Sequence, residues 1–392
     1  MRERILEKEG LFRPLLSVLV GLFLAALVMR ASGYDPRAAY SALWSGATGL
    51  QSGPARSPND IPIGLGSRLG HLDRFVLAQS LAKATPLLFA GLSVAIGLRA
   101  GLFNIGAQGQ LTAGALAAAL VGTLGRSGGG GGWPPWLHIP LTLLAGVAAG
   151  AAWGALPGLL KARRGVHEVI STIMLNYIAA NLASYLVTHG LKDPNPKNMA
   201  PQTALMASSS WLAPLPFAPG SNLTVGLLLA LAAAAGVAFL IHRTALGFEI
   251  RAVGVGMEAA RATGVPVARV MVIAMALSGA LAGVAGAVEV MGVHHRYVQG
   301  VAGNYGFDGI AVALLGGLNG GGAVLSALFF GALSNGATGM QAQTDVPDSI
   351  SVIVQAVVIL LIGVRYSRKK AAPALVAAVL DTDERREDED AF

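Results

Sequence analysis

Three short stretches of this 392-residue chain place polar side chains in apolar surroundings. The first, "RAGLFNIGAQGQLTAG", carries Phe103, Asn104, Gln108 and Gln110. The second, "STIMLNYIAANL", sets Thr172 and Asn176 one helical turn apart. Tyr177 and Asn181 repeat that spacing on the adjoining face. The third, "GNYGFDGIAVALLGGLNGGG", carries Asn304, Tyr305, Phe307, Asp308 and Asn319. Polar groups inside a membrane segment are costly, and so mark candidate functional positions. An amide offers donor and acceptor together, while Tyr and Phe offer flat faces. Few charges accompany them. The set suits a neutral solute with several hydrogen-bonding groups, a sugar or a nucleoside, better than an ion or a fatty acid. For each residue the competing reading is interhelical hydrogen bonding that only holds a bundle together.

No stretch has the spacing of a catalytic centre. H-E-x-x-H, G-x-S-x-G and G-x-x-x-x-G-K-[ST] are absent. The glycine run 128–132 is followed by "WPP" and so cradles no phosphate. With no Cys there is no disulfide and no thiolate metal site. His294 and His295 are adjacent, with Glu289 nearby. Neighbours on a helix point in different directions, so these histidines are expected to decorate an outer loop rather than bind metal. The sequence therefore predicts no catalytic residue, no metal and no cofactor.

The elements that must position these residues follow from composition. Hydrophobic residues make up 54% of the chain and charged residues only 12%, against about 25% in an ordinary soluble domain. The mean hydropathy is +0.60. Both values predict an all-α integral membrane protein. Apolar runs at 15–29, 75–98, 105–124, 139–160, 169–188, 223–241, 270–291, 307–318, 323–340 and 349–364 give about ten transmembrane segments. Two of them, 307–318 and 323–340, are short, and Gly106 and Gly109 are expected to break the helix around 105–110. Gly146, Gly150, Gly154 and Gly158 form a smooth stripe that lets a neighbouring helix come close, and Gly279 and Gly283 repeat the device.

Loop charge gives the orientation. With the N-terminus inside, "KARRG" (161–165), the segment 244–270 and "RYSRKK" (365–370) all fall on the cytoplasmic side, and all are basic. The net charge of +7 is read as this bias and not as nucleic-acid binding. The mixed loop 31–74 and the Pro- and Ser-rich stretch 192–222 fall outside; the latter reads as either a cap or a connector. The organisation predicted is a cytoplasmic N-terminus (1–12), one transmembrane domain (13–370) with a cytoplasmic loop at 244–268, and an acidic, disordered tail (371–392) that leaves the C-terminus cytoplasmic.

That loop is unusual. Residues 244–270 hold Glu249, Arg251, Glu258, Arg261 and Arg269. At about 2.5–3.5 kcal/mol each at mid-membrane, five charges would cost about 12–17 kcal/mol, so the segment lies outside the bilayer. "MEAARATG" begins at Met257, pairs Glu258 with Arg261 at i,i+3, and ends on Gly264 with Pro266 two beyond. A short, stopped helix of this kind is a docking element.

The stretch "GFEIRAVGVGMEAARATGVPVARV" resembles the cytoplasmic coupling loop of ABC-importer permeases of the branched-chain amino acid and simple-sugar group. "GLFNIGAQGQL" with "VISTIMLNYIA" is most similar to that group's nucleoside-type permeases, and "DGIAVALLGGLNGGGAVLSALFFG" matches the later part of the pattern. The resemblance runs over about 75–364. It departs at Gln108, where the group carries Glu, and residues 51–70 stand as an insertion. It implies a multi-pass protein of a bacterial cell (inner) membrane and three kinds of protein partner. These are a cytoplasmic ABC ATPase, a second permease subunit, often a different chain, and an extracellular or periplasmic solute-binding lipoprotein. Met257, Glu258, Ala260, Arg261 and Gly264 would then couple to the ATPase. Phe103, Asn104, Gln108, Gln110, Thr172, Asn176, Tyr177, Asn181, Asn304, Phe307 and Asp308 would line the solute path. A nucleoside is the leading solute and a simple sugar the alternative. A secondary transporter using Asp308 or Glu289 is the rival of a different class.

Overall fold

The structure, a computed structural model, describes residues 18–51, 60–62, 71–124, 133–195, 200–347, 349–350, 352–353 and 356–357. The expectations for residues 1–12, 126–132, 365–370 and 371–392 lie outside the described residues. The chain falls into two compact units, Met1–Gly33 with Ile350–Phe392, and Tyr34–Ser349. In the first, the described helix is α1 (Val18–Ala31).

The second unit is mostly helical. It holds α2 (Pro36–Thr48), α3 (Arg74–Arg99), α4 (Ala107–Leu124), α5 (Pro135–Arg164), α6 (Glu168–His189) and α7 (Gly226–Arg243). These are followed by α8 (Ala245–Val255), α9 (Met257–Ala262), α10 (Val267–Glu289), α11 (Tyr305–Leu315) and α12 (Gly320–Thr344). Among the described residues, six helices are long and apolar enough to cross a membrane: α3, α5, α6, α7, α12, and α10 with the π-helical turn Val290–His294 that extends it. This is fewer than the ten segments expected. The 11 residues of α11 rise only about 16 Å, against a hydrocarbon core about 30 Å thick. The expected segment 349–364 is described at only a few positions.

Burial separates the centre from the rim. The most apolar window of α3 is 78% buried and that of α10 61%, against 22% for α5 and 28% for α6. Asp73 starts α3 by accepting from the Phe75 amide (2.8 Å). α10 is gripped by α5 through the glycine stripe. A Cβ on Gly150 would lie 2.7 Å from Gly283 Cα, and one on Gly154 would lie 2.9 Å from Gly279 Cα. Backbones in such contact leave no room for any side chain, so the stripe on each helix is the reason the other can sit there. The same device joins α2 to α12, where Gly46 meets the Cα atoms of Gly336 and Gly339.

Two helices start part-way along the central pair. Asn104, just ahead of α4, bonds to Ser278 at the middle of α10. Near the start of α11, Gly309 lies against Ala90 at the middle of α3. The chain between α3 and α4 is not helical. Gly106 marks the end of this break, as expected, but Gly109 lies inside α4.

One feature departs from the sequence reading: the unit is not all-α. β1 (Leu50–Gln51), β2 (Asp60–Pro62) and β3 (His71–Asp73) form a small antiparallel sheet in the order β1-β3-β2. Strands this short carry too little alternation to be read from sequence. Of the two readings left open for the stretch after residue 200, cap or connector, its hydrogen bonds favour the cap. The amides of Ala207, Leu212, Met206 and Thr203 donate to the carbonyls of Gly122, Met291, His295 and Tyr297, which pins it across the ends of α4 and α10. Its own Met206, Ser210, Leu212 and Ala218 are buried.

Candidate functional site: a clasped break and a docking segment

Non-helical backbone at membrane depth must satisfy its own polar groups against protein. The break between α3 and α4 does so with side-chain amides. Asn104, fully buried, donates from Nδ2 to Gln110 Oε1 and to Ser278 Oγ, both at 2.8 Å. Gln110 Nε2 donates back to Asn104 Oδ1 (3.1 Å), which also accepts from the Gly106 amide (2.9 Å). Ser278 passes the chain on to the Ser93 carbonyl (2.6 Å). Asn176 closes the other side from α6. Its Nδ2 donates to the Ile105 carbonyl (2.9 Å), and its Oδ1 accepts from the Gly109 amide (2.8 Å). Gly109 is the third residue of α4, so Asn176 satisfies a helix-start donor from a neighbouring helix. Thr172, also buried, bonds to the Glu168 carbonyl of its own helix (2.7 Å).

The predicted residues therefore divide. Asn104, Gln110, Thr172 and Asn176 come together, buried around the break. Gln108 faces the other way and reaches the α11 end, donating to the Gly303 carbonyl (2.6 Å) and accepting from the Gly306 amide (2.8 Å). Asn304 and Phe307 are exposed beside it, while Phe103 and Asp308 are half-buried. On α6 the buried positions Thr172, Asn176, Ala179, Ala183 and Val187 form one face. Tyr177, 65% exposed, and Asn181 stand on another, with Asn181 donating to the Tyr177 carbonyl one turn back. Sequence reasoning missed Ser93 and Ser278. A lone Ser in an apolar helix was the available signal.

At the cap end, His138 is fully buried, with Nδ1 2.8 Å from Ser209 Oγ and Nε2 3.1 Å from the Val121 carbonyl. His295 stacks on Trp211 at 3.9 Å. Burial, with the charges of His294 and Arg296 beside it, holds its imidazole below the usual histidine range. Burial also pushes the Tyr297 phenol up to about 12. His294 pairs with Glu289 at 3.4 Å, and among the described residues no group of three metal-ligating side chains forms.

The charged segment forms the helix expected from Met257, preceded by α8, which was not expected. Gly264 takes φ +85°, the left-handed conformation that closes a helix C-terminus. Its amide donates to the Arg261 carbonyl (3.0 Å), and that of Val265 donates to the Ala260 carbonyl (3.0 Å). Glu258 and Arg261 pair at 3.0 Å in solvent. Ala260 is buried in the chain's own apolar cluster with Ile250, Val253, Val267 and Val270. Val255 is 93% exposed and Phe248 60%. α8 also touches the break directly, since a Cβ on Gly254 would lie 2.9 Å from the Arg99 carbonyl carbon and 3.1 Å from the Gly101 amide.

This architecture has relatives. The family model described as branched-chain amino acid transport system / permease component matches residues 76–363. The chain is 38% identical to the guanosine ABC transporter permease protein NupP of Bacillus subtilis (strain 168), over 90% of this chain and 93% of the relative. It is 34% identical to the nucleoside ABC transporter permease protein NupB of Lactococcus lactis subsp. cremoris (strain MG1363), over 90% of each. It is 33% identical to the glucose ABC transporter permease protein TsgB13 of Haloferax volcanii, over 89% of this chain and 86% of the relative. Six apolar helices, a clasped half-helix at their centre and this breadth of similarity agree: the chain is a multi-pass membrane protein and belongs to the permease-component family of branched-chain amino acid transport systems.

Proposed function

We propose that this chain is the membrane subunit of an ATP-driven importer that takes up a nucleoside across a bacterial inner membrane, with both chain termini in the cytoplasm. The observation that carries the reading is the central break. There, polar groups with donor and acceptor capacity stand beside an exposed aromatic, Phe307, at the start of a half-helix. The nucleoside relatives, similar over nine-tenths of the chain, support the solute class.

In this reading Phe103, Asn304, Phe307 and Asp308 line the solute path, and Asn104, Gln108, Gln110, Thr172 and Asn176 hold its wall. Tyr177 and Asn181 are polar, exposed and on a membrane helix, where lipid would penalise them. They therefore face a water-filled path shared with a second permease subunit, and the chain's apolar remainder faces lipid. Residues 244–268 dock a separate cytoplasmic ATPase. Glu258 and Arg261 lie at its surface with Val255 and Phe248, Met257 is half-buried against the chain's own apolar cluster, and Ala260 and Gly264 fix the shape of the docking helix. A solute-binding lipoprotein delivers to the cap end.

The test is reconstitution of the chain with its ATPase, second permease and binding lipoprotein in liposomes. ATP-dependent accumulation of labelled guanosine, and no ATP hydrolysis by this chain alone, are expected. ATP hydrolysis by the purified chain would sink the reading. Uptake of glucose with no uptake of any nucleoside would favour the simple-sugar reading, which the glucose relative supports.

A further inference from the structure

Four amide side chains gather at the break, and three of them are enclosed. Gln108 differs in where its bonds go. Its Nε2 donates to the Gly303 carbonyl (2.6 Å) and its Oε1 accepts from the Gly306 amide (2.8 Å). Gly306 is the second residue of α11, and Asn304, at the N-cap position of that helix, makes no side-chain cap bond. The start of α11 thus lacks the local cap that a Ser, Asp or Asn there ordinarily supplies. Gln108, from α4, stands in its place. The two backbones are close enough to need this arrangement, since Gly306 has no room for a Cβ against the Gln108 backbone.

We infer that Gln108 is a positioning residue that caps α11 in trans, and so fixes where Asn304 and Phe307 stand relative to α4. This rests on the proposed permease function for its consequence, though not for its geometry. The requirement is an oxygen at the end of a four-atom reach. Gln meets it and so does Glu, whose carboxylate accepts from the same amide. A shorter Asn does not reach, and an isosteric Met offers no oxygen. The donor arm to Gly303 is the lesser one, because Gly303 lies in an exposed turn, where its carbonyl can turn away from a Glu oxygen and take water in place of the lost donor.

The experiment is amide hydrogen exchange over residues 304–312 in nanodiscs, with uptake per ATP hydrolysed measured in the assembled importer. In Gln108→Met and Gln108→Asn, exchange in the first turn of α11 is expected to rise on the order of two- to thirty-fold, the span of a lost helix cap. Uptake per ATP is expected to fall, because ATP is then spent on a misplaced half-helix. Gln108→Glu should restore both readouts. A role in bulk packing alone would lower uptake and ATP hydrolysis together and leave their ratio unchanged. Unchanged exchange in Gln108→Met and Gln108→Asn would overturn the cap. The cap would also be overturned by Gln108→Glu exchanging as fast as Gln108→Met. The exchange readout needs no transport, so failure of the cap and failure of the permease reading are separable.

Discussion

Two interruptions of an apolar chain, the break at 100–106 and the charged segment at 244–266, solve the same problem in opposite ways. At the break, polar groups stay inside. Asn104 alone is bonded to Gln110, Ser278 and the Gly106 amide, so its bonds are made in low dielectric and its removal strands several partners at once. In the charged segment the polar groups are in water. Glu258 and Arg261 are 85% and 65% exposed at their side chains, and either can exchange its partner for solvent. Residues that look alike in sequence, polar and out of place, thus differ in what depends on them.

The largest expected effect is at Asn104. Replacement by Leu should leave the Gln110 amide, Ser278 and the Gly106 amide short of partners. Each buried unsatisfied group costs about 1–3 kcal/mol, so a loss on the order of 3 kcal/mol is expected. Unfolding in detergent or nanodiscs, followed by tryptophan fluorescence, measures it. A loss below about 1 kcal/mol would mean that water fills the clasp, and the contrast would weaken.

Asn176 should come next. Asn176→Leu frees one amide and one carbonyl rather than three groups, and about 2 kcal/mol is expected by the same reasoning. The comparison of the two variants in one assay matters more than either value. If Asn176 cost more than Asn104, the clasp would be centred on α6 rather than on the break.

Replacing residues 257–264 with a Gly/Ser linker tests the other region. Stability should fall by about 1–2 kcal/mol, since Ala260 is the one fully buried side chain of the helix and Met257 is half-buried. Co-purification of the ATPase and uptake should nevertheless be lost. Retained assembly with full uptake would show that the segment is only a loop.

The smallest effect is expected from Glu258→Arg with Arg261→Glu. An exposed pair contributes about 0–1 kcal/mol, and the swap preserves the pair. A thermal shift as large as that of Asn176→Leu would erase the distinction between the two regions.

What the sequence determined is what local pattern and composition can carry. Apolar length predicted helices at α3, α5, α6, α7, α10 and α12, because about 20 residues must be apolar to cross a bilayer. The stop at Gly264 was legible, since a left-handed residue at a helix end favours glycine, and so was the stripe at 146–158, since four-residue spacing puts it on one face. Only the tertiary structure decided which polar residues are enclosed. Asn176 and Tyr177 are neighbours in sequence, yet one bonds to the Gly109 amide and the other is open. A side chain's partner is set by which helix face another chain segment covers, and such contacts join residues as far apart as Asn104 and Ser278. No local spacing encodes that. The three-stranded sheet and the burial of Ala260 in its own cluster escaped the sequence for the same reason: both are made by pairing across distance rather than by the pattern of any one stretch.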